Sequence, residues 1–137
     1  MFRDKVVVVT GGVKGIGRCI CEEFEKAGAK VCVIDILDNP YFVGDIAKEE
    51  VLQDFANKVI AEHGKVDVLV NNALPFMKGI DSCSYEEFQE ALAVGVTAPF
   101  YLSKLFAPYF APGASIINMS SSRDRMSQPF TESYSAA

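Results

Sequence analysis

The chain has 137 residues, of which half are apolar and 23% are charged, and its formal net charge is −5 at pH 7. This length and composition are typical of a single globular domain over residues 1–137, and the negative charge argues against nucleic acid or an anionic membrane as a partner. No apolar run reaches the ~18 residues of a membrane span and the start lacks a signal peptide, so we expect no membrane association and a cytoplasmic location.

The first third of the chain predicts a strand, a helix and a second strand. KVVVVT (5–10) is a β-branched run without alternation, as expected of a strand that is buried on both faces. KVCVID (30–35) has the same character. Between them, apolar residues recur at helical spacing before a glycine that would end the helix. These residues are Ile16, Ile20, Phe24, Ala27 and the terminating Gly28.

The middle of the chain continues the alternation. YFVGDI (41–46) predicts a short third strand, residues 47–63 predict a helix with one polar face, and VDVLVNNA (66–73) predicts a fourth strand. Ser84 and Glu87 then form the pattern of a capping box, which would open a long helix towards residue 110.

The last part of the chain completes an α/β pattern. Pro99 is expected to bend the long helix, and SIINMS (115–120) predicts a fifth strand. Continuous apolar strands that alternate with helices imply a parallel sheet with helices on both faces. We therefore predict a Rossmann-like, doubly wound α/β fold.

The four cysteines form no C-x-x-C pair, and three of them fall within apolar strand or helix patterns. We therefore expect buried free thiols in a reducing compartment rather than disulfides or a metal site.

A glycine-rich segment follows the first strand. In TGGVKGIG (10–17) the glycines permit a tight turn and a close approach of backbone to a pyrophosphate, at the start of the next helix. A strand before the loop and a helix after it are the context that this motif requires. Gly11, Lys14, Gly15, Ile16 and Gly17 are the candidate contacts to a dinucleotide.

Asp35 ends the second strand, 18 residues after Gly17. A carboxylate there can accept hydrogen bonds from the adenosine ribose hydroxyls and would repel a 2′-phosphate. Lys14 acts in the opposite direction, because a cation in the loop could pair with that phosphate. A strongly hydrated lysine should contribute less than a carboxylate aimed at the ribose, so we predict NAD rather than NADP as the cofactor.

Four stretches together resemble the short-chain dehydrogenase/reductase family. The loop has the form T-G-x-x-x-G-x-G, GDI (44–46) matches an acidic position after the third strand, and NNA (71–73) ends the fourth strand. SIINMSSS is followed by YSAA, and Tyr134 comes 13 residues after Ser121. That spacing is similar to the one between the family's catalytic serine and tyrosine.

The resemblance implies a role for each matching position. Asp45 and Ile46 would contact the adenine, and Asn72 and Ala73 would contact the cofactor ribose through their backbone. Tyr134 would be the general acid or base, and Ser121 would orient the substrate oxygen. Ser120 and Ser122 are the alternatives to Ser121.

Three departures from the family pattern accompany these matches. Leu74 stands where the family usually has glycine, and Gly95 stands where it usually has an asparagine that holds a helix distortion and a water of the proton relay. The family's lysine would come at position 138, and the sequence ends at Ala137. We therefore expect the chain to lack that lysine, the last two strands and the segment that covers the substrate.

The resemblance implies an oxidoreductase that transfers a hydride between NAD(P) and an alcohol or ketone. It also implies a small-molecule substrate and a homo-oligomer in the full-length enzyme. The 137-residue chain itself is expected not to turn over. The alternatives are a truncated, non-catalytic NAD-binding module and an inactive fragment.

Overall fold

The computed structural model describes residues 1–126 and 128–137, without the side chain of Asp124. Within these ranges one sheet contains five strands, all parallel, in the order β3-β2-β1-β4-β5. The strands are β1 (Val6–Thr10), β2 (Lys30–Asp35), β3 (Phe42–Val43), β4 (Val66–Asn71) and β5 (Phe110–Asn118). The predicted doubly wound α/β fold is confirmed.

Helices connect β1 to β2, β3 to β4 and β4 to β5, whereas residues 36–41 join β2 to β3 without a helix. The α-helices are α1 (Gly15–Lys26), α2 (Glu49–His63), α3 (Tyr85–Leu92), α4 (Ala98–Phe106) and α5 (Glu132–Ala136). A π turn (Ala93–Thr97) joins α3 to α4, and short 3₁₀ turns lie at Ala107–Tyr109 and Ser122–Asp124. The capping box of Ser84 and Glu87 opens α3 as predicted.

The core lies on both faces of the central strand. Every residue of β1 is buried, which explains why its sequence shows no alternation. Val6 and Val8 pack towards the side of α2 and α4, where Phe55 and Phe106 meet edge to face with ring centroids 6.5 Å apart. Val7 and Val9 pack on the other face, which α1 covers.

An ionic cluster joins the amino ends of β1 and β4. The buried carboxylate of Asp67 accepts hydrogen bonds from Lys5 Nζ at 2.8 Å and from the Val6 N–H at 2.9 Å. Lys65 Nζ lies 2.9 Å from its second oxygen. Burial alone would raise the pKa of Asp67, but these donors outweigh it and lower the pKa to about 2. The cluster fixes the end of the sheet that lies away from the glycine loop.

Several expectations about individual residues were wrong. Ile16 is 65% exposed, because it lies in the first turn of α1 beside the strand ends and not over the sheet. Cys19 is exposed on α1, whereas Cys21 and Cys32 are buried as free thiols, and burial raises the pKa of each to about 11. The third strand has two residues instead of six.

The fifth strand also differs from its prediction. It begins at Phe110, five residues before Ser115, because an irregularity in its pairing with β4 accommodates the extra residues. It forms the edge of the sheet, and Ile116 and Ile117 are 45% and 41% exposed. The strand is therefore apolar on both faces but only partly buried, because it lies at the edge of the sheet in this chain.

One helical segment within the described ranges, Tyr85–Tyr109, is long and apolar enough to cross a membrane by length and composition alone. The sequence alone predicts no such segment, because charged and polar residues interrupt its apolar runs. This criterion is weak, because a helix of a soluble core can also satisfy it. Ala98, Leu102 and Phe106 of this segment are buried against the sheet, which accounts for part of its apolar character.

Candidate active site

A cleft of about 820 Å³ opens at the carboxyl ends of the strands. The ends of β4 and β5, the loop after β4, the π turn and α5 line it. The chain leaves β1 towards β2 on one side and later returns to β4 on the other, so the strand order reverses at β1. Ligands of open α/β sheets bind outside the carboxyl ends of the strands at such a switch point.

The glycine-rich loop is built for close contact between backbones. Gly11 has φ +68°, a conformation that glycine adopts without strain. A Cβ on Gly17 would lie 2.0 Å from the Gly11 carbonyl oxygen and 2.4 Å from Asn72 Nδ2. Only glycine fits at residue 17, so α1 begins directly against the loop with its amino end towards the strand ends.

The amino end of α1 keeps its donors for a ligand. Among the described residues no side chain caps this helix, and Lys14 at the cap position is extended and exposed. Uncapped N–H groups at a helix start bind phosphate oxygens, which the helix dipole also favours. This cradle fits the diphosphate of a dinucleotide.

Asp35 lies beside the loop at the end of β2. Its carboxylate accepts hydrogen bonds from the Val13 N–H and the Leu37 N–H, each at 3.0 Å. These two bonds fix the orientation of the carboxylate and leave other lone pairs able to accept from a ligand hydroxyl. The arrangement suits a ribose that is held next to the phosphate cradle.

Thr10 and Asn72 hold the loop against β4. The buried Thr10 hydroxyl accepts hydrogen bonds from the backbone N–H groups of Asn72 and Ala73, both at 3.0 Å. The Asn72 amide donates to the carbonyls of Thr10 at 3.1 Å and Gly11 at 2.9 Å. Sequence reasoning noted Thr10 only as part of the motif, because this contact joins residues about 60 positions apart.

Ser121 and Tyr134 both line the cleft. Ser121 precedes a 3₁₀ turn, and its hydroxyl oxygen accepts a hydrogen bond from the Arg123 N–H at 3.3 Å. The hydroxyl hydrogen can therefore be donated to a substrate oxygen. Tyr134 lies on α5, and the guanidinium carbon of Arg123 is 5.5 Å from the centroid of its ring. Ser120 also lines the cleft, whereas Ser122 does not.

Comparison with known proteins identifies the family. The short chain dehydrogenase model matches residues 5–137. An uncharacterized oxidoreductase of Thermotoga maritima is 35% identical over all of this chain and 61% of its own length.

The chain belongs to the short-chain dehydrogenase/reductase family.

Solved structures agree with this assignment. The chain resembles an apo SCOR enzyme of Clostridium thermocellum with a TM-score of 0.88 and 39% identity, over 97% of this chain and 60% of that one. It also resembles a metagenomic short-chain oxidoreductase in complex with NADP, with a TM-score of 0.89 and 28% identity, over 98% and 69% of the two chains. The chain thus spans about 60% of the length of the first two relatives named here.

The positions that depart from the family pattern lie on the cleft. Leu74 is exposed in its wall. Gly95 lies in the π turn, where the Ala98 N–H bonds the Ala93 carbonyl five residues earlier. The helix distortion of the short-chain dehydrogenases is therefore present without the asparagine. A Cβ at Gly95 would lie 2.6 Å from the Cβ of Ala137, so glycine here admits the end of α5.

The remaining predicted contacts are less direct. Asp45 accepts a hydrogen bond from the Ala47 N–H at 2.9 Å, which shapes the turn after β3. The Ile46 side chain is buried in the core, so only its backbone could reach an adenine. Ile16 and Ala73 line the cleft.

Two further polar features complete the site. Asn71 Nδ2 donates to Asn118 Oδ1 at 2.7 Å across the ends of β4 and β5, and the buried Asn71 Oδ1 has no donor among the described residues. An orphaned acceptor in the cleft wall suits a polar ligand. In the same ranges no group of three or more His, Cys, Asp or Glu side chains could hold a metal ion.

Proposed function

We propose that this chain is the dinucleotide-binding part of an enzyme that transfers a hydride between NAD and an alcohol or ketone. The observation that carries the proposal is a glycine cradle at the start of α1 whose backbone also bonds the Asp35 carboxylate. The cleft beside it carries a serine and a tyrosine that can handle a substrate oxygen. Membership of a family of oxidoreductases supports the same reaction class.

The glycine-rich loop supports the fit of a dinucleotide. Because Gly17 has no Cβ, the loop can pack directly against the start of α1, where the helix N–H groups are available. The α1 N–H groups would hold the diphosphate and Asp35 the adenosine ribose. Asp45 and the Ile46 backbone would lie towards the adenine, and Asn72 and Ala73 towards the second ribose. NAD is favoured over NADP because a fixed carboxylate at residue 35 repels a 2′-phosphate.

The chain's own residues would manage the proton. A bound nicotinamide supplies or accepts the hydride. The Ser121 hydroxyl would donate a hydrogen bond to the carbonyl oxygen and hold it. The Tyr134 hydroxyl would give its proton to that oxygen during reduction and take it back during oxidation.

The cofactor assignment can be tested through Asp35. In the protein expressed from its complete gene, NAD should bind roughly 10- to 1000-fold tighter than NADP, since one charge ~4 Å away contributes ~1–4 kcal/mol depending on solvent exposure. Asp35→Ala should remove this preference, whereas Asp38→Asn at a nearby exposed aspartate should preserve it. Dissociation constants from dinucleotide fluorescence measure both, and equal affinity for the two dinucleotides in the unmutated protein contradicts the assignment.

The catalytic roles need separate variants. Tyr134→Phe should abolish turnover and leave NAD affinity nearly unchanged, because only a proton donor is removed. Ser121→Ala should lower kcat by roughly 10²–10³, as expected for one lost donor to the substrate oxygen. Ser122→Ala is the matched control outside the cleft. A larger loss from Ser120→Ala than from Ser121→Ala would shift the assignment by one residue.

We also infer a small-molecule substrate, assembly as a homo-oligomer and a cytoplasmic location. Tyr85 and Tyr109, at the two ends of the long helical segment, are exposed outside the cleft and support a protein contact along that segment. Analytical ultracentrifugation of the protein from its complete gene tests the assembly, and a monomer at micromolar concentration would exclude it.

A further inference from the structure

The charge in the cleft is concentrated at one residue. Among the described side chains that line the cleft, Arg123 alone carries a formal charge. The others are apolar groups, amides and hydroxyls. The chain as a whole carries a net charge of −5, so a cation in the cleft wall is a local exception that could attract an anionic ligand.

Within the part of the chain that the structure describes, the side-chain partners of Arg123 are neutral. Nη1 lies 3.2 Å from Met77 Sδ, and Nη2 donates to Gln128 Oε1 at 2.9 Å. The guanidinium also stacks near the Tyr134 ring, as described above. No ion pair between described side chains includes Arg123. Its charge is positioned by three contacts and compensated by none of them.

The position of the guanidinium is suited to a substrate. An arginine has five N–H donors, and the contacts with Met77 and Gln128 leave others for a ligand. The backbone N–H of Arg123 donates a hydrogen bond to the Ser121 hydroxyl, and its guanidinium lies over the Tyr134 ring. An anion bound to Arg123 would therefore lie in the same cleft as Ser121 and Tyr134.

We propose that Arg123 binds a carboxylate of the substrate, so that the protein interconverts oxo acids and hydroxy acids. This inference rests on the proposed function and names its substrate class. A planar carboxylate matches the guanidinium fork, and its single negative charge balances the single positive charge of Arg123, whereas a phosphate dianion would leave one negative charge in excess. The reaction is unchanged: the carbonyl carbon accepts the hydride, its oxygen accepts the proton, and the dinucleotide is oxidised.

The test compares a 2-oxo acid with its methyl ester in the protein expressed from its complete gene. The ester removes the charge and keeps the reacting carbonyl. In Arg123→Gln the ratio of kcat/KM for the acid to that for the ester should fall roughly 10- to 100-fold, the effect of losing one charge-assisted pair. Arg123→Lys should retain part of the ratio, and Arg125→Gln, an equal charge change outside the cleft, should retain all of it.

Two kinetic outcomes would overturn the inference. An unchanged ratio in Arg123→Gln means that the guanidinium does not meet the carboxylate. An equal loss for acid and ester means that Arg123 acts through Tyr134 and not on the substrate charge.

Calorimetry with oxalate separates this inference from the proposed function. Wild type should bind oxalate roughly 10-fold or more tightly than Arg123→Gln, and equal affinities would overturn the assignment even in a protein without turnover. If the wild type reduces neither the acid nor the ester, the proposed function is rejected. The oxalate affinities would still decide whether Arg123 binds a carboxylate.

Discussion

Replacing Asp67 by asparagine should remove the charge that joins the amino ends of β1 and β4. The asparagine oxygen can still accept from the Val6 N–H, so the substitution mainly deletes the ionic contacts with Lys5 and Lys65. A fall in the pKa of Asp67 from an ordinary 3.8 to about 2 corresponds to ~2 kcal/mol of folding free energy. Both lysines are 43% exposed, so solvent screening reduces the expected loss to about 1–2 kcal/mol.

The pH dependence gives this prediction its sign. A carboxylate whose pKa is lowered on folding stabilises the protein fully above its unfolded pKa of 3.8, and this contribution is lost as the pH falls through about 2. Wild type and Asp67→Asn should therefore differ at pH 6–7 and converge as the pH approaches 2.

Urea unfolding followed by circular dichroism across this pH range measures the difference. Asp54→Asn, at an exposed position of α2, is the matched control and should change the free energy of unfolding by less than ~0.5 kcal/mol. A gap between wild type and Asp67→Asn that persists unchanged at pH 2 would refute the electrostatic reasoning and assign the effect to packing.

Three further substitutions test the site. Thr10→Val leaves two buried N–H groups without an acceptor and should cost about 2–4 kcal/mol in chemical denaturation, whereas Thr10→Ser should cost less than ~1. Gly17→Ala should abolish dinucleotide binding in a fluorescence titration because its Cβ meets backbone at 2.0 Å; Gly15→Ala, which strains a φ of +56° but places its Cβ within 4 Å of nothing, should weaken binding less. Gly95→Ala should lower Tm despite the ~1 kcal/mol gain in helix propensity, since its Cβ lies 2.6 Å from Ala137 Cβ, and a raised Tm would contradict that clash.

The sequence predicted the parts of the fold that local pattern controls. Unbroken β-branched runs indicated buried parallel strands, and the capping box at Ser84 marked the start of α3. Glycine spacing located the loop against α1, because the positive φ of Gly11 and the backbone contact of Gly17 both exclude other residues. Local pattern predicted a parallel sheet but not the order of its strands.

Contacts between distant segments could not be predicted in this way. Helical spacing placed Ile16 in the core, but its position in the first turn of α1 leaves it in the cleft wall. The early start of β5 depends on its pairing with β4, which no local pattern encodes. The hydroxyl of Thr10 and the stacking of Arg123 on Tyr134 likewise join segments whose approach only the folded chain reveals.

Because a π turn at Ala93–Thr97 joins α3 to α4, the packing of the long helical segment depends on the number of residues in that turn as well as on their identity. Each residue of an α-helix turns the chain by about 100°, so the wide turn sets the angular phase between α3 and α4. Deleting one residue there would restore a regular α-helix and rotate α3 by about that angle relative to α4. Ala91 would then leave the core while Leu102 kept its place. Insertions and deletions in this segment should therefore be far less tolerated than substitutions.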